Sequence, residues 1–325
     1  MNMNCPGKEK MKDERGVAVV LALLVLGLVT AAVITTATRS SRDGTLAIIY
    51  ENKMKSYFLA EGGITAAKIA LKEDGGINGY DTLDEIWSRP SPPISLGEGQ
   101  VVVTVVDEES KLNVNSLIMG NGISENMKMV ALFDALLEKL DLDPSITASV
   151  LDWLDKDDTP RPQGGEGAYY SGKKLPYTVK NDRLDSLFEL KLVKGLDDKA
   201  YRILSPYLTT VGSGRININT APGTIIAIIA RGEDPEYHAL LSDSAVEEIL
   251  RFREESPFEK VEDIKKVSTS LEELYRKSRV RDLITTASTT FTVHVVSQVE
   301  KGTTRIVSRL YRKGKDVSEI YRVAN

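Results

Sequence analysis

The sequence predicts an α+β fold: a long N-terminal helix and an antiparallel sheet, interrupted by a large all-α insertion domain. Three observations carry this. An uncharged run rich in Val, Leu and Ala extends from Val17 to Thr38, and the helically spaced stretch Thr45–Asp74 follows it without a proline. The segments "QVVVTVVDEESKLNVNSL" (from Gln100) and "STTFTVHVVSQVEKGTTRIVSRLYRKG" (from Ser288) are rich in β-branched residues and read as strands, the second as a hairpin turning at Glu300-Lys301-Gly302. Between them, Ile118 to Leu283 is patterned mostly as helices. Strands far apart in the chain then share one sheet, with the helical stretch inserted between them.

The N-terminal helix reads as a membrane span. Crossing a bilayer takes ~20 apolar residues, whereas a removable secretory signal has an apolar core of only ~7–15 residues followed by a small-residue cleavage site. The run from Val17 is too long for the latter, and "TTATRSSRD" (Thr35–Asp43) is a poor cleavage site. Lys8, Lys10, Lys12 and Arg15 precede the run, and a positive flank stays in the cytoplasm, which puts the rest of the chain on the other side. Charge stops at Arg15-Gly16, and the apolar run begins one residue later. Gly62 and Gly63 weaken the helix by ~1 kcal/mol each relative to alanine, which predicts a kink or a close packing contact.

Composition removes several function classes. The chain has 325 residues, enough for more than one domain, and a net charge of −5, which disfavours broad attraction to nucleic acid. Its one cysteine, Cys5, lies in the charged leader, so the rest of the chain has no disulfide framework and no thiol chemistry. His238 and His294 are the only histidines, which leaves little room for a histidine-based zinc site.

The loop "WSRPSPPISLGEG" separates the long helix from the first strand. Helical segments follow, among them "SENMKMVALFDALLEKL" with Ser124 as N-cap, "PSITASVLDWL", "NDRLDSLFELKLV", "APGTIIAIIA", "SDSAVEEILRFREES" and "VEDIKKV". There is an internal echo: "KLNVNSL" (Lys111–Leu117) and "RININTA" (Arg215–Ala221) both run basic, apolar, Asn, apolar, Asn, and helices follow each. Either this is a true repeat, or two unrelated strand ends carry capping asparagines.

The stretch richest in chemistry is "LDWLDKDDTPRPQGGEGAYY". Asp152, Asp155, Asp157, Asp158 and Glu166 crowd it with no His or Cys, and hard oxygen donors suit Ca²⁺, which takes 6–8 of them. Asp155, Asp157 and Glu166 fall at the first, third and twelfth positions of an EF-hand loop, but Thr159 is a poor fifth ligand and Pro160 stands where that loop needs glycine. The loop is therefore not an EF-hand. It either folds around an ion through a different turn or is a solvated acidic loop. Asp152 falls at a predicted helix end and is the weakest of the five; Asn181 and Asp182 are either additional ligands or N-caps. Paired carboxylates also serve glycoside hydrolysis, but these lie in one stretch rather than on two walls of a cleft, so the chain reads as a non-enzyme, with Trp153 in a core.

A short charged leader, a glycine and ~20 apolar residues resemble the type IV prepilin signal. That resemblance implies cleavage between Gly16 and Val17 by a prepilin peptidase, with the helix retained and its new N-terminus methylated. Most pilins carry Glu at the fifth mature position; here it is Leu21. With "AEGG", "KLNVN", "DWLDKDDTPRPQGGEGAYY", "FEL" and "RININTAP" in that order, the chain resembles the K-type minor pseudopilins of type II secretion, which typically lack that Glu.

The resemblance implies a leader (1–16), a transmembrane and filament helix (17–38), a pilin-like domain in two parts (39–116 and, as a C-terminal β-hairpin, 285–325) and a helical insertion (117–284). It further implies the inner membrane, with the bulk of the chain in the periplasm. It names the I-type and J-type minor pseudopilins and the major pseudopilin as partners, a place capping the pseudopilus tip, and bound Ca²⁺ in the acidic region.

A rival resemblance covers the second half of the insertion. From "RININTAP" to "VEDIKKV" it is similar to the SAM-like or helix-hairpin-helix modules of membrane-tethered DNA-binding proteins. The glycine-rich phosphate hairpin is missing, however, and acidic residues outnumber basic ones from Ile216 to Val267, the reverse of what phosphate requires. A minor pilin of a type IV pilus is the other alternative.

Overall fold

The computed structural model describes residues 10–231, 241–277 and 280–325, with side chains from Gly16 onward. Cys5, Lys8 and the acidic segment 232–240 with His238 lie outside the described residues.

A single helix, α1 (Lys10–Asp74), runs unbroken through Gly16, Gly62 and Gly63. Among the described residues it is the one helix long and apolar enough to cross a membrane. From Gly16 onward its first half is exposed along all of its apolar side chains, whereas its last third packs on the sheet.

That sheet is antiparallel, with strands β1 (Ile94–Leu96), β2 (Gly99–Asp107), β7 (Thr290–Val299), β8 (Gly302–Lys313) and β9 (Asp316–Ala324) in the order β1-β2-β7-β8-β9. As the β-branched runs imply, β2 and β7 are neighbours, with Val103 opposite Val295. The predicted hairpin closes with Val299 opposite Gly302. The strand β9 extends that hairpin to a three-stranded meander. The turn into it uses Gly314 in the left-handed region (φ 59°). Ala60, Ile64, Ala67 and Leu71 on α1 interlock with Val101, Val293, Val295, Ile306 and Leu310. The glycine pair is asymmetric. A Cβ on Gly63 would lie 2.8 Å from Val295 and 3.1 Å from Val103, whereas one on Gly62 would meet nothing within 4 Å. Of the two expected uses of the pair, close packing is the one observed.

The insertion leaves the sheet after β2 and returns at β7, and buried residues from Leu112 to Ile284 form one continuous core. The echo is a structural repeat. In the first half, β3 (Leu112–Asn113) pairs in parallel with β4 (Leu208–Thr209); in the second, β5 (Ile216–Asn217) pairs in parallel with β6 (Ile284–Thr285). Asn113 Oδ1 accepts from the Asn115 N–H at 3.0 Å, and Asn217 Oδ1 from that of Asn219 at 3.0 Å. The second asparagine of each pair grips one residue's backbone at both ends: Asn115 holds the N–H and C=O of Leu184 (2.7 and 2.9 Å), and Asn219 those of Phe258 (2.9 and 3.0 Å). Each gripped residue leads into a 3₁₀ turn, Leu187–Leu192 or Val261–Lys266, that buries Leu190 or Ile264. The turns, predicted as helix, are only six residues long.

The first half contains α2 (Met127–Lys139), α3 (Ser145–Leu154), α4 (Gly167–Ser171) and α5 (Asp198–Leu204). The second contains α6 (Gly223–Ile228), α7 (Asp243–Glu255), α8 (Thr269–Lys277) and α9 (Val280–Leu283). Helix α2 starts behind Asn126, not at Ser124, whose backbone instead closes a small loop by accepting from the Met119 N–H at 2.7 Å. In the second half α7 runs almost directly to Phe258, whereas in the first the acidic loop is interposed between α3 and Leu184.

Buried carboxylates join the lobes. Asp107, at the end of β2, accepts from Thr220 Oγ1 (2.5 Å), Ser288 Oγ (2.7 Å) and Asn217 Nδ2 (3.2 Å). Glu109 accepts from the Thr289 hydroxyl (2.7 Å) and from the N–H groups of Thr290 and Ser213 (both 3.1 Å). Arg312 on β8 bridges Asp74 (2.7 Å) and Asp81.

The glycine asymmetry is testable by chemical denaturation of the detergent-solubilised protein. Gly62→Ala is expected to leave stability unchanged or raise it by up to ~1 kcal/mol through helix propensity. Gly63→Val is expected to lower it by roughly 1–3 kcal/mol by overpacking against β2 and β7.

Candidate metal centre

The acidic loop leaves α3 at Asp155, whose extended backbone (φ −80°, ψ 168°) ends the helix. It then wraps around the side chain of Arg161. The guanidinium donates from Nη1 to Asp152 Oδ1 (2.7 Å) and Asp155 Oδ2 (2.5 Å), and from Nε to Glu125 Oε1 (2.8 Å). The backbone N–H of Arg161 also points at the Asp152 carboxylate, at 3.2 Å. The loop can close this tightly because Gly164 has no side chain: a Cβ there would lie 2.1 Å from Asp152 Oδ2.

The five predicted ligands therefore separate. Asp152 is fully buried and occupied by Arg161, so it stands apart from the ligand cluster. Asp155, Asp157 and Glu166 converge, each with a carboxylate oxygen within 4.8 Å of the others. Asp158 is exposed and accepts from Asn181 Nδ2 at 3.0 Å. The same Nδ2 donates to the Asp157 carbonyl at 3.0 Å, and Asn181 sits in the left-handed region (φ 48°) to do so. Asn181 is thus not a helix cap. Asp182 accepts from the neighbouring Arg183 N–H, and the cap of the following turn is Ser186.

Four oxygens on these residues are buried with no hydrogen-bond partner: Asp155 Oδ1, both oxygens of Glu166, and Asn181 Oδ1. Leaving a buried acceptor unpaired costs about 1–3 kcal/mol, and more for a charged one. Burial first, and then the charges of Asp152, Asp155, Asp158 and Asp157, push the Glu166 carboxyl up to about 7. Burial also raises Asp155, against the opposing pull of Arg161. Converging carboxylates with buried unpaired oxygens and no nitrogen or sulfur ligand among them fit a hard divalent cation such as Ca²⁺. A second acidic group, Asp74, Asp81 and Glu85, is also close-set. Arg312 engages the two aspartates, and the Trp87 indole N–H donates to Glu85 at 2.6 Å, so that group carries its own cation.

At the other end of the chain, Gly16, Val17 and Leu21 lie on the exposed apolar part of α1. A Cβ on Gly16 would meet nothing within 4 Å, so packing within the chain does not require a glycine there.

The comparisons with known proteins converge on one family. A family model described as type II secretion system (T2SS), protein K, matches residues 110–213, which include the whole acidic loop. Type II secretion system protein K of Pectobacterium carotovorum subsp. carotovorum is 31% identical over 222 residues, covering 64% of this chain and 66% of that protein. The chain belongs to the type II secretion system protein K family. The protein K of Klebsiella pneumoniae is 26% identical over 227 residues, covering 67% of this chain and 69% of that protein. The chain thus aligns with about two thirds of the length of these relatives. The fold of the family is matched by the crystal structure of the GspK-GspI-GspJ complex from the enterotoxigenic Escherichia coli type 2 secretion system. The TM-score is 0.61 at 19% identity, over 89% of this chain and 99% of that one.

The protonation state of Glu166 gives this pocket a pH signature. An isolated glutamate ionises near 4.5, but in the fold Glu166 holds its proton up to about 7. Metal-free protein therefore binds more protons folded than unfolded between these values, and its stability falls as the pH rises from about 4.5 to 7. Added calcium is expected to offset that loss, and its affinity to weaken below pH 7 as the proton competes. Thermal melts from pH 5 to 8 with and without calcium, repeated on Glu166→Gln, check both slopes; the substitution should make the metal-free one shallower, the remainder coming from Asp107 and Glu85, which burial also raises to about 7.

Proposed function

We propose that the chain is a minor pseudopilin. In this reading α1 anchors it in the inner membrane and later packs among other subunits' helices, and the bulk of the chain lies in the periplasm. It assembles with I-type and J-type minor pseudopilins at the pseudopilus tip; the related crystal structure is likewise of a complex, that of GspK with GspI and GspJ. The observation that carries the reading is the unbroken α1, apolar and exposed along its first half and then seated on a sheet interrupted by a lobe of its own. A lobe of that size hanging off the subunit disfavours a place within a regular filament and favours its end. With Leu21 at the fifth mature position, no acidic side chain is offered to the N-terminus of a neighbouring subunit, which suits the same place.

In this role the chain acts by assembly rather than catalysis. The Ca²⁺ we assign to it is structural, held by Asp155, Asp157 and Glu166 with the side-chain oxygen of Asn181; bound there, the ion supplies positive charge to oxygens that otherwise lack a partner. The DNA-binding alternative finds less support. Arg253, one of the few basic residues of the helix-hairpin-helix-like half, is directed inward to the carbonyls of Ile218 (3.1 Å) and Ala221 (2.7 Å).

Leader processing tests the assignment directly. Mass spectrometry of protein from its native membrane should give an N-methylated Val17 as the first residue, and Gly16→Leu should leave the leader attached. An N-terminus at Met1 in cells that process other pseudopilins would sink the reading. For the metal, extensive dialysis against EGTA should lower the melting temperature by several degrees, and calcium, but not magnesium, should restore it.

A further inference from the structure

The metal reading above accounts for the orphaned oxygens but not for Arg161, which divides its bonds between two segments. Its Nη1 holds Asp152 and Asp155 on the metal loop, while its Nε holds Glu125 at 2.8 Å, on the loop that precedes α2. Asp155 is the shared element. One of its oxygens is bound to Arg161, and the other is among the unpartnered oxygens of the pocket.

The loop that Glu125 belongs to is otherwise closed mainly by its own bonds. Ile118 and Glu125 form an isolated antiparallel bridge, the Met119 N–H donates to Ser124 O, and Asn121 Oδ1 accepts from the N–H groups of Ile123 (3.1 Å) and Ser124 (2.9 Å). Its one main-chain tie to the metal loop is the Lys156 N–H donating to Gly122 O at 2.9 Å. The loop is exposed, carries Met119 and Ile123 into solvent, and supplies Ile118, Met119 and Gly120 to the wall of a cleft of about 1070 Å³. Tyr311 and Ile320 of the sheet also line it.

We propose that Arg161 is a positioning residue that relays metal occupancy from the acidic loop to the 118–126 loop, so that the bound ion sets the shape of this cleft wall. The inference rests on the metal reading. A cation at Asp155 Oδ1 pins that carboxylate. The pinned carboxylate holds the fork of Arg161, and the fork holds Glu125 at the base of the exposed loop. Without the ion, the Asp155 and Asp157 carboxylates lose the charge that draws them together, and the arginine follows whichever carboxylates move. The residue must be arginine for geometric reasons. A guanidinium presents several N–H groups in a rigid plane and bridges separate carboxylates, whereas a lysine ammonium is a single point charge on a flexible stem.

Hydrogen exchange followed residue by residue tests the relay on the full-length, detergent-solubilised protein, with terbium luminescence reporting metal binding in parallel. Where amides exchange only after the metal has left, raising free calcium to 100 times its Kd slows them about a hundredfold. In the native chain this slowing is expected both in 155–166 and at the amides of Met119, Ile123 and Ser124. In Arg161→Lys and in Glu125→Gln it should persist in 155–166 and vanish in 118–126. A purely structural role for Arg161 predicts something else: faster exchange in both loops, with the calcium response of 118–126 retained. Exchange in 118–126 that ignores calcium in the native chain while terbium binds overturns the relay and leaves the metal site standing. Absence of terbium binding overturns both.

Discussion

Asp107 and Glu109 stand where the chain leaves the sheet for the helical lobe, and the architecture depends on how these two carboxylates are held. Both are buried, and neither makes an ion pair among the described residues. Asp107 instead receives hydroxyl and amide donors from Thr220, Asn217 and Ser288, which lie on the outgoing second repeat and on the returning strand connection. Burial, with the charge of Glu109 behind it, pushes Asp107 up to about 7, which measures how demanding this environment is. A buried carboxylate of this kind tolerates little rearrangement of its donors, so the two lobes are held in a defined relation by hydrogen-bond geometry rather than by a broad apolar seam.

The two hydrophobic cores on either side of this joint are built differently. Around α1 and the sheet the packing is between a helix and β-branched strands, and it requires the backbone approach that only Gly63 allows. In the helical lobe the core is assembled from two copies of one small unit. Each is closed by an asparagine that grips a single residue's backbone, so a repeated polar clasp does what a longer helix or strand does elsewhere. The acidic loop is what distinguishes the first copy from the second. An insertion at that point leaves the closing clasp of the repeat intact, because Leu184 still meets Asn115.

The acidic pocket illustrates how far local sequence reaches. Asp155, Asp157 and Glu166 are recognisable because hard oxygen donors are crowded within one short stretch. Asp152 belongs to the same crowd and is drawn off by Arg161, a residue within that stretch whose charge gives no sign of which carboxylates it takes. Asn181 stands open between ligand and cap in the sequence; its left-handed backbone and its bonds to the Asp157 carbonyl and Asp158 show that it is not a cap. The strand β9 has no clean alternation of apolar and polar residues, and the sequence shows only the hairpin before it.

By itself the sequence determined what is set by composition and periodicity. The membrane helix follows from an uncharged run of the right length, the two distant strand groups from β-branched alternation, and the acidic chemistry from the absence of His and Cys. The repeat was visible as an echo of asparagines. The tertiary structure alone decided everything that depends on chain reversal: which carboxylates face one another, which of them Arg161 binds, and which other loop that arginine ties to the acidic loop. Those outcomes turn on distances of a few ångström, some within one folded loop and some between loops, and hydrogen-bond and ion energies change steeply over such distances while side-chain identity does not change at all.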